Sequence, residues 1–540
     1  MPTPFTSYAF TASAPLSQGI TADRALPDRY NDVINVKDWG AKGDGITDDT
    51  TAINNAIAYA YSINATYGPG TTVFIPPGTY NIATPPLQFG KVSKGFDGCL
   101  NIMGAGRTAT IIKGNSTGFI AIKGGGSSSS SWHGLQNLTI QNDSTAATGG
   151  ALYLGYCDNN PYIDSCNFTG FVGLFQDSPI FGIAVRNCRF SFPGFAGATN
   201  FYPASNSPHG PPTNCIGCQF RQGILWNCYA EGFDVGVLIF GVPASISSCK
   251  AYRCNTGFQA GFPGSVSGGG VVNYSYTGNH TERCKRGFSI STTGASGMNV
   301  IAHDIMGTDG VTDAATITSI TPIGGGNVRA TTTVAHNLSV GTFWLLLVTN
   351  PAGWTPNGTG QQIISCTNSG SNTFDYALAS PSGSFTSATW NYPLEYGIVG
   401  QNAGGSEQLF AANSLRSAVL YGSFAYQHSG SPGQDKSNVV MATSGPGGIW
   451  LPTSPDGPNW EFIQCGAVGA PSVPYGFLHF SDLNPQVIDG YTSVGGAFEG
   501  REYNIIDAQL QGGFAGIVAG GGSNNHYKVR FNGTKWIRIG

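Results

Sequence analysis

A short phrase that keeps returning constrains this chain more than any other feature. "CNFTGF" (166–171), "CYAEGF" (228–233), "CNTGF" (254–258) and "CKRGF" (284–288) each place a cysteine ahead of Gly-Phe, and "PGF" (193–195) is a weaker copy. The glycines fall at 170, 194, 232, 257 and 287, in steps of 24, 38, 25 and 30. A period in that range marks a solenoid, in which each repeat is one coil that buries its apolar face against the next. Alternating apolar runs such as "FDVGVLIFG" and "FVGLFQ" accompany the phrase, and period-two alternation is the pattern of a strand. In this reading each Gly makes a turn and the following Phe opens a strand. Stacked parallel strands lie about 4.8 Å apart, so the repeated cysteines and phenylalanines should form internal ladders. The long step of 38 contains "AGATNFYPASNSPHGPPTN", whose Pro, Asn and Ser predict a loop on the side of the solenoid.

Composition agrees. A chain of 540 residues exceeds one compact core. With 79 glycines and only 10% charged residues, it lacks the Glu, Lys and Arg of a helical protein. Short strands joined by tight turns fit instead. A net charge of −4 without a basic stripe excludes nucleic acid as a partner and leaves sugars open. No apolar run is long enough to span a membrane as a helix. "MPTPFTSYAFTASAPLSQG" has neither a basic start nor a continuous apolar core, so no secretory signal is expected. The twelve cysteines are not spaced as a disulfide framework. Free buried thiols are expected, with Cys166, Cys228, Cys254 and Cys284 stacked along the core. "CIGC" (215–218) lacks a second pair, so no metal and no cofactor are expected.

"VKDWGAKGDGITDDT" (36–50) concentrates Gly40, Gly43 and Gly45 with Asp44, Asp48 and Asp49. Its GxxGxG spacing is not the dinucleotide fingerprint. Its acids lack the alternation and closing Glu of a calcium loop. Ala52, Ile53, Ala56, Ile57 and Ala60 then share one helical face. Thr47 or Asp48 is the expected N-cap, with Asp49 in the first turn. The stretch reads as strand, tight turn and capped amphipathic helix.

"INVKDWGAKGDGITDDTTAINNAI" (34–57), "TVFIPPGTY" (72–80) and "NIMGAGRTATII" (101–112) together resemble the start of the pectate-lyase superfamily. The resemblance covers about the first quarter of the chain. It implies a right-handed parallel β-helix whose short N-terminal helix caps the open first coil. It also implies a polysaccharide-facing role, without naming a reaction.

The solenoid pattern breaks near residue 312. Short alternating strands with Gly and Asn turns follow, and "AHNLSVG" (335–341) and "NTFDYAL" (372–378) resemble a small β-barrel module of phage tail proteins. Coil-like sequence resumes at "LEYGIVG" (394–400). The last hundred residues resemble the C-terminal β-modules of phage tailspikes and fibres, with Asn532-Gly533 as a hairpin turn. The expected class is all-β. An N-terminal segment (1–32) precedes a parallel β-helix with its capping helix (33–312). An inserted small β-domain (313–392), resumed coils (393–445) and a C-terminal module that trimerises the chain (446–540) follow.

Charge is scarce, so its clusters on the coils are informative. "WNCYAEGFD" (226–234) offers Glu231 and Asp234 beside Trp226 and Tyr229. "NHTERCKRG" (279–287) offers Glu282, Arg283, Lys285 and Arg286; Asp304 follows, and Lys250 and Arg253 lie between. A glycoside hydrolase needs two carboxylates. A lyase needs a base and a cation beside a uronate carboxylate. Glu231 and Glu282 are the expected catalytic pair, about 10 Å apart across two coils, with Asp234 and Asp304 in reserve. Trp226, Tyr229, Arg253 and Arg286 are the expected substrate contacts. Glu231 and Arg286 hold equivalent places before Gly-Phe, in one groove. No histidine is assigned a role.

These features point to a tailspike-type protein that binds and depolymerises a bacterial surface polysaccharide, with hydrolysis favoured over β-elimination. The resemblance implies a homotrimer on a virion tail, joined to other tail proteins through the N-terminal segment. A non-catalytic receptor-binding spike is one alternative. A secreted cellular pectin-type lyase is another.

Overall fold

The structure is a computed structural model. It describes most of residues 33–348 and 361–426, with strand backbones as far as Arg538. Residues 1–32 and the stretches 91–99, 194–213, 262–274 and 307–314 lie outside the described residues. The expected side loop and the weak "PGF" copy fall almost wholly within 194–213.

The described strands form three long parallel sheets of 13, 13 and 11 strands, and successive coils add one strand to each. One coil runs Gly223–Trp226, Tyr229–Glu231, Val235–Ile239, and the next runs Ala244–Ser247, Lys250–Tyr252, Thr256–Ala260. Trp226 pairs with Ser247, Glu231 with Tyr252 and Ile239 with Ala260. The fold is a parallel β-helix.

Two corners shape each coil. At the first, between the first and second sheets, one residue takes the left-handed conformation: Asn137, Ser165, Asn187, Asn227 and Ser248 in turn. Asn tolerates this region better than other side-chain-bearing residues. The next residue points inward: Leu138, Cys166, Cys188, Cys228 and Cys249, all buried. Each thiol bonds to the coil beneath, as Cys188 Sγ donates to Ile163 O at 3.8 Å and Cys228 Sγ to Val185 O at 3.7 Å. Asn279 takes over the corner next. Its Oδ1 accepts from Cys249 N at 2.9 Å and its Nδ2 donates to Ile246 O at 3.0 Å.

At the second corner Gly232, Arg253 and Arg283 are left-handed, and Phe233, Cys254 and Cys284 follow, buried. The cysteine phrase therefore mixes two registers. Cys166 and Cys228 belong to the first corner with Cys188 and Cys249, whereas Cys254 and Cys284 belong to the second. They are two stacks, not the single expected one. Gly257 and Gly287 are not turns either. They lie inside the strands Thr256–Ala260 and Arg286–Ile290. With Gly173, Gly217 and Gly236 they form a column in the third sheet, where an added Cβ would lie 2.4–2.9 Å from the carbonyl oxygen of the adjoining coil's glycine. Only glycine permits so close a backbone approach.

The interior is continuous. Phe168 stacks on Phe190 at 5.6 Å with 15° between the rings, and burying each such side chain contributes about 1.5–3 kcal/mol. The helix Thr50–Tyr67 buries Ile53, Ala56, Ile57 and Ala60 against the first coil, with Ala52 partly covered. The segment ahead of it differs from expectation, because Asp44–Asp48 is itself a strand paired with Gly78–Ile82. Asp49 precedes the helix and turns back to accept from Lys42 N at 2.6 Å and Gly43 N at 3.1 Å. The N-cap position falls to Asp49, whose carbonyl accepts from Ile53 N at 3.0 Å, and not to the expected Thr47 or Asp48; Asp48, one residue ahead, accepts from Thr50 N at 3.0 Å. Asp44 accepts from Ile46 N and Thr47 N, which holds its carboxyl down to about 2. All three acids serve the backbone.

Between Ala315 and Asn391 seven strands form an antiparallel sheet around Trp390, Phe374, Tyr376 and Val328. The strand Leu394–Gly400 then pairs with Arg286–Ile290 and the coils continue. They run past residue 445, since Val439–Ala442 pairs with Gly466–Ala467. Beyond them is a six-stranded sheet, in which His526–Phe531 and Trp536–Arg538 are antiparallel.

All nine described cysteines are free and buried. Burial pushes the Cys166, Cys218, Cys228 and Cys254 thiols well above their ordinary value, which suppresses the reactive thiolate. In a thiol-reagent titration these cysteines should react slowly in the native protein and fully on denaturation. Rapid native modification of the corner cysteines, mapped by mass spectrometry, would overturn the ladder.

Candidate functional site

The outer face of the second sheet carries the densest chemistry. From Asn167–Thr169 to Asp304–Met306 its strands are three residues long, so the middle residue points in and its neighbours point out. The middle residues Phe190, Ala230, Ala251, Thr281 and Ile305 are buried. Register stacks the outer ones in two columns. One is Arg189, Tyr229, Lys250, His280, Asp304; the other is Ser191, Glu231, Tyr252, Glu282, Met306.

Two ionic groups occupy this face. In the first, Arg189 Nε and Nη2 donate to Glu231 Oε1 at 3.0 and 2.6 Å, and Ser191 Oγ donates to the same oxygen at 2.7 Å. In the second, Lys250 Nζ donates to Glu282 Oε2 at 2.5 Å. His280 Nε2 lies 3.6 Å from Glu282 Oε2, while its Nδ1 is 2.9 Å from Asp304 Oδ2. One imidazole thus stands between two carboxylates. Arg283 Nε lies 3.6 Å from Glu282 Oε1.

Tyr252 joins the groups. Its ring stacks with Tyr229 at 6.3 Å, and its hydroxyl accepts from Arg283 Nη1 at 2.6 Å. Arg253, Arg283 and Lys250 place their charges 5.1, 5.5 and 5.6 Å from the ring centre, within cation–π range.

Environment separates the carboxylates. The Glu231 side chain is 5% exposed, Glu282 19% and Asp304 42%, so only the last two meet solvent. Burial alone would raise the Glu282 carboxyl, but the Lys250 hydrogen bond and the charges of Lys250, Arg283 and His280 hold it below its usual range. Burial and the Glu231 charge push the Tyr229 phenol up. Behind the face, burial lowers the His303 imidazole to about 3 and keeps it neutral. Among the described residues no three His, Cys, Asp or Glu side chains converge as metal ligands.

The expected site residues divide. Glu231, Glu282, Asp304 and Tyr229 share this face, and Arg253 flanks it at the second corner. Glu231 and Glu282 stand two coils apart in one column, with Tyr252 between them. Asp234 is elsewhere. It accepts from Asn214 N at 2.7 Å and Asn255 Nδ2 at 2.8 Å, holding the second corner. Arg286 opens a third-sheet strand, paired with Thr256 and Tyr396. It is not equivalent to Glu231 and does not share its groove, because Gly287 is a strand residue and Gly232 a turn. Trp226 ends a first-sheet strand across the Asn227 corner from Tyr229, so the two do not form one platform.

Arg189, Ser191, Lys250, Tyr252, His280 and Arg283 complete the face. A signal for five of them lies in the sequence. Each second-sheet strand from Asn167–Thr169 to Asp304–Met306 follows a corner pair: "SC-NFT", "NC-RFS", "NC-YAE", "SC-KAY", "GN-HTE", "AH-DIM". Aligning on that pair, instead of on Gly-Phe, yields both columns.

Residues 33–187 match the family model described as rhamnogalacturonase A/epimerase, pectate lyase-like. The first coils are thus pectate-lyase-like. A non-secreted LysM effector, LysM15 of Penicillium expansum, is 45% identical over 67 residues, 12% of this chain and 5% of its own. Mannuronan C5-epimerase AlgE2 of Azotobacter vinelandii is 41% identical over 85 residues, 15% of this chain and 7% of its own. The chain thus spans under a tenth of either relative. The Dettilon tailspike protein gp208 superimposes with a TM-score of 0.34 at 12% identity, over 68% of this chain and 94% of its own.

A carboxyl held below its ordinary 4.5 stabilises the fold above that pH and loses the contribution as pH falls through the lower folded value. Denaturation of the native protein should therefore become easier on acidification below about pH 4.5. Glu282→Gln should flatten that dependence. An identical acid profile in the variant would remove Glu282 from the cause.

Proposed function

We propose that the outer face of the second sheet binds and cleaves a bacterial surface polysaccharide. One observation carries this. Glu282 and Asp304, the two solvent-reaching carboxylates, flank a single imidazole on adjoining coils, beside the Tyr252 ring and its cations. Hydrolysis needs one carboxylate to activate water and one acid to protonate the leaving oxygen. Glu282, kept ionised by Lys250, suits the base. Asp304 is then left for the acid, with His280 Nδ1 at 2.9 Å holding its orientation. Glu231, enclosed by Arg189 and Ser191, acts as a positioning residue rather than a member of the pair. This revises the pairing of Glu231 with Glu282.

A non-catalytic receptor-binding face is the second reading. It is favoured by the fact that each of these carboxylates already has a cationic or imidazole partner. Phage tailspike identity, a virion location and contact with tail proteins through residues 1–32 extend the proposal. Their support is the resemblance of the inserted and C-terminal modules to phage tail proteins.

Incubation with isolated capsule or lipopolysaccharide should release reducing ends without absorbance at 235 nm. Growth of both signals would indicate β-elimination instead, and growth of neither a binder. Glu282→Gln and Asp304→Asn should each lower turnover by orders of magnitude with binding retained. Wild-type turnover in both would move the chemistry elsewhere.

Assembly is tested separately. Light scattering of the full chain should give a trimer, and truncation after Ala467, where the described coils end, should give monomers. A monomeric full-length chain would overturn the trimer.

A further inference from the structure

A second cleft lies at the first corner and shares Arg189 and Tyr229 with the acid face. It encloses about 540 Å³ and is lined by Arg107, Asn187, Arg189, Asn227 and Tyr229, with Ser165 and Cys188 at its floor. Arg107 comes from an earlier coil and reaches over to donate Nη1 to Asn187 O at 3.3 Å. The corner asparagines are linked, Asn227 Nδ2 donating to Asn187 Oδ1 at 2.9 Å and Asn187 Nδ2 to Asp164 Oδ1 at 2.9 Å. Two guanidinium groups line the cleft and no carboxylate does. Arg189 is matched by Glu231, which leaves Arg107 as the balance of positive charge.

Two large apolar side chains stand exposed near it, with Trp226 between Arg186 and Ser247 of the adjoining coils. Ile224 and Trp226 project from the first-sheet strand Gly223–Trp226 and are 50% and 45% exposed. A large side chain left in water beside a polar cleft is an unusual surface in a chain that buries most of its large apolar groups. The combination suits a pyranose. Its C–H face lies on an indole, while its hydroxyls reach amide and guanidinium groups. Trp226 and Tyr229 sit on opposite sides of Asn227. A ligand on Trp226 therefore continues over the corner toward Tyr229 and the acid face.

We propose that this cleft is a glycan subsite for a sugar bearing an anionic substituent, its ring on Trp226 and its acidic group at Arg107. The proposal rests on the polysaccharide reading of the neighbouring face, with which the cleft shares Arg189 and Tyr229. The subsite sets which sugar precedes the cleavage point. Trp226 and Arg107 are specificity-determining residues, not catalytic ones.

The probes are single sugars: D-glucuronate (a carboxylate), glucose 6-phosphate (a phosphate) and methyl glucoside (neutral). Binding is read by saturation-transfer NMR on the full chain. At least one acidic probe should give transfer well above that of methyl glucoside. Trp226→Ala should lower its signal at least fivefold, and Arg107→Gln should bring it to the neutral level. Trp226 is half-exposed, so its loss should not alter the melting temperature, which is measured alongside. Absence of transfer from all three sugars, or transfer unaffected by Trp226→Ala, would overturn the subsite. Transfer that obeys the variants in a protein that cleaves nothing would leave the subsite standing and remove the cleavage reading instead.

Discussion

Parallel strands in this protein must stack in register, coil upon coil, and every other feature answers to that requirement. A strand with no partner on one side exposes a row of amides and carbonyls. Each coil supplies the missing partners of the one before, through ladders such as Phe190 on Ala230 on Ala251 on Thr281. Stacking brings like positions together about 4.8 Å apart. An inward residue is therefore packed mainly by its equivalents above and below. The thiol stack of Cys166, Cys188, Cys228 and Cys249 follows from this. Small, weakly polar sulfurs fill a tight corner and still bond a carbonyl in the coil beneath. The glycine column of the third sheet is the other consequence, where a carbonyl of the adjoining coil occupies the place of a Cβ.

The same register that buries apolar groups in columns exposes polar ones in columns. Arg189 and Glu231 are 42 residues apart in sequence, and Lys250 and Glu282 are 32 apart. Stacking makes them neighbours on adjoining coils. A flat, rigid sheet holds such groups at defined spacing without flexible loops, which preorganises them for a repeating ligand. A polysaccharide is such a ligand. The acid face and the corner cleft share Arg189 and Tyr229, so under the proposed function a chain bound at one would be led to the other.

The antiparallel sheet between Ala315 and Asn391 tests how strongly register is imposed. After it the chain rejoins the third sheet with Arg286 on Tyr396 and Phe288 on Ile398. Asn413 then takes the first-corner position, accepting from His303 N and donating to Val300 O as Asn279 does two coils earlier toward Cys249 N and Ile246 O. The insertion leaves the stacking pattern intact because its own core, around Trp390 and Phe374, is separate from that of the coils.

The sequence alone determined the solenoid, the capping helix and the presence of free buried thiols. These depend on periodicity and side-chain type, which are linear properties of a chain. It also picked out Glu231, Glu282, Asp304 and Tyr229, which share one sheet face. It did not determine which residues stand in one column. Coil lengths vary, so the spacing between Gly-Phe phrases carries no register, and the phrase itself straddles two corners. Arg286 therefore read as a neighbour of Glu231 although it lies on another sheet. Asp234 read as a spare acid although it is spent on Asn214 and Asn255. His280, Tyr252 and Arg189 were marked only by their places after the corner pairs, which alignment on Gly-Phe hides. Only the stacked structure decided that they meet, because register is set by the left-handed corner residues and by the hydrogen bonds between coils that they allow.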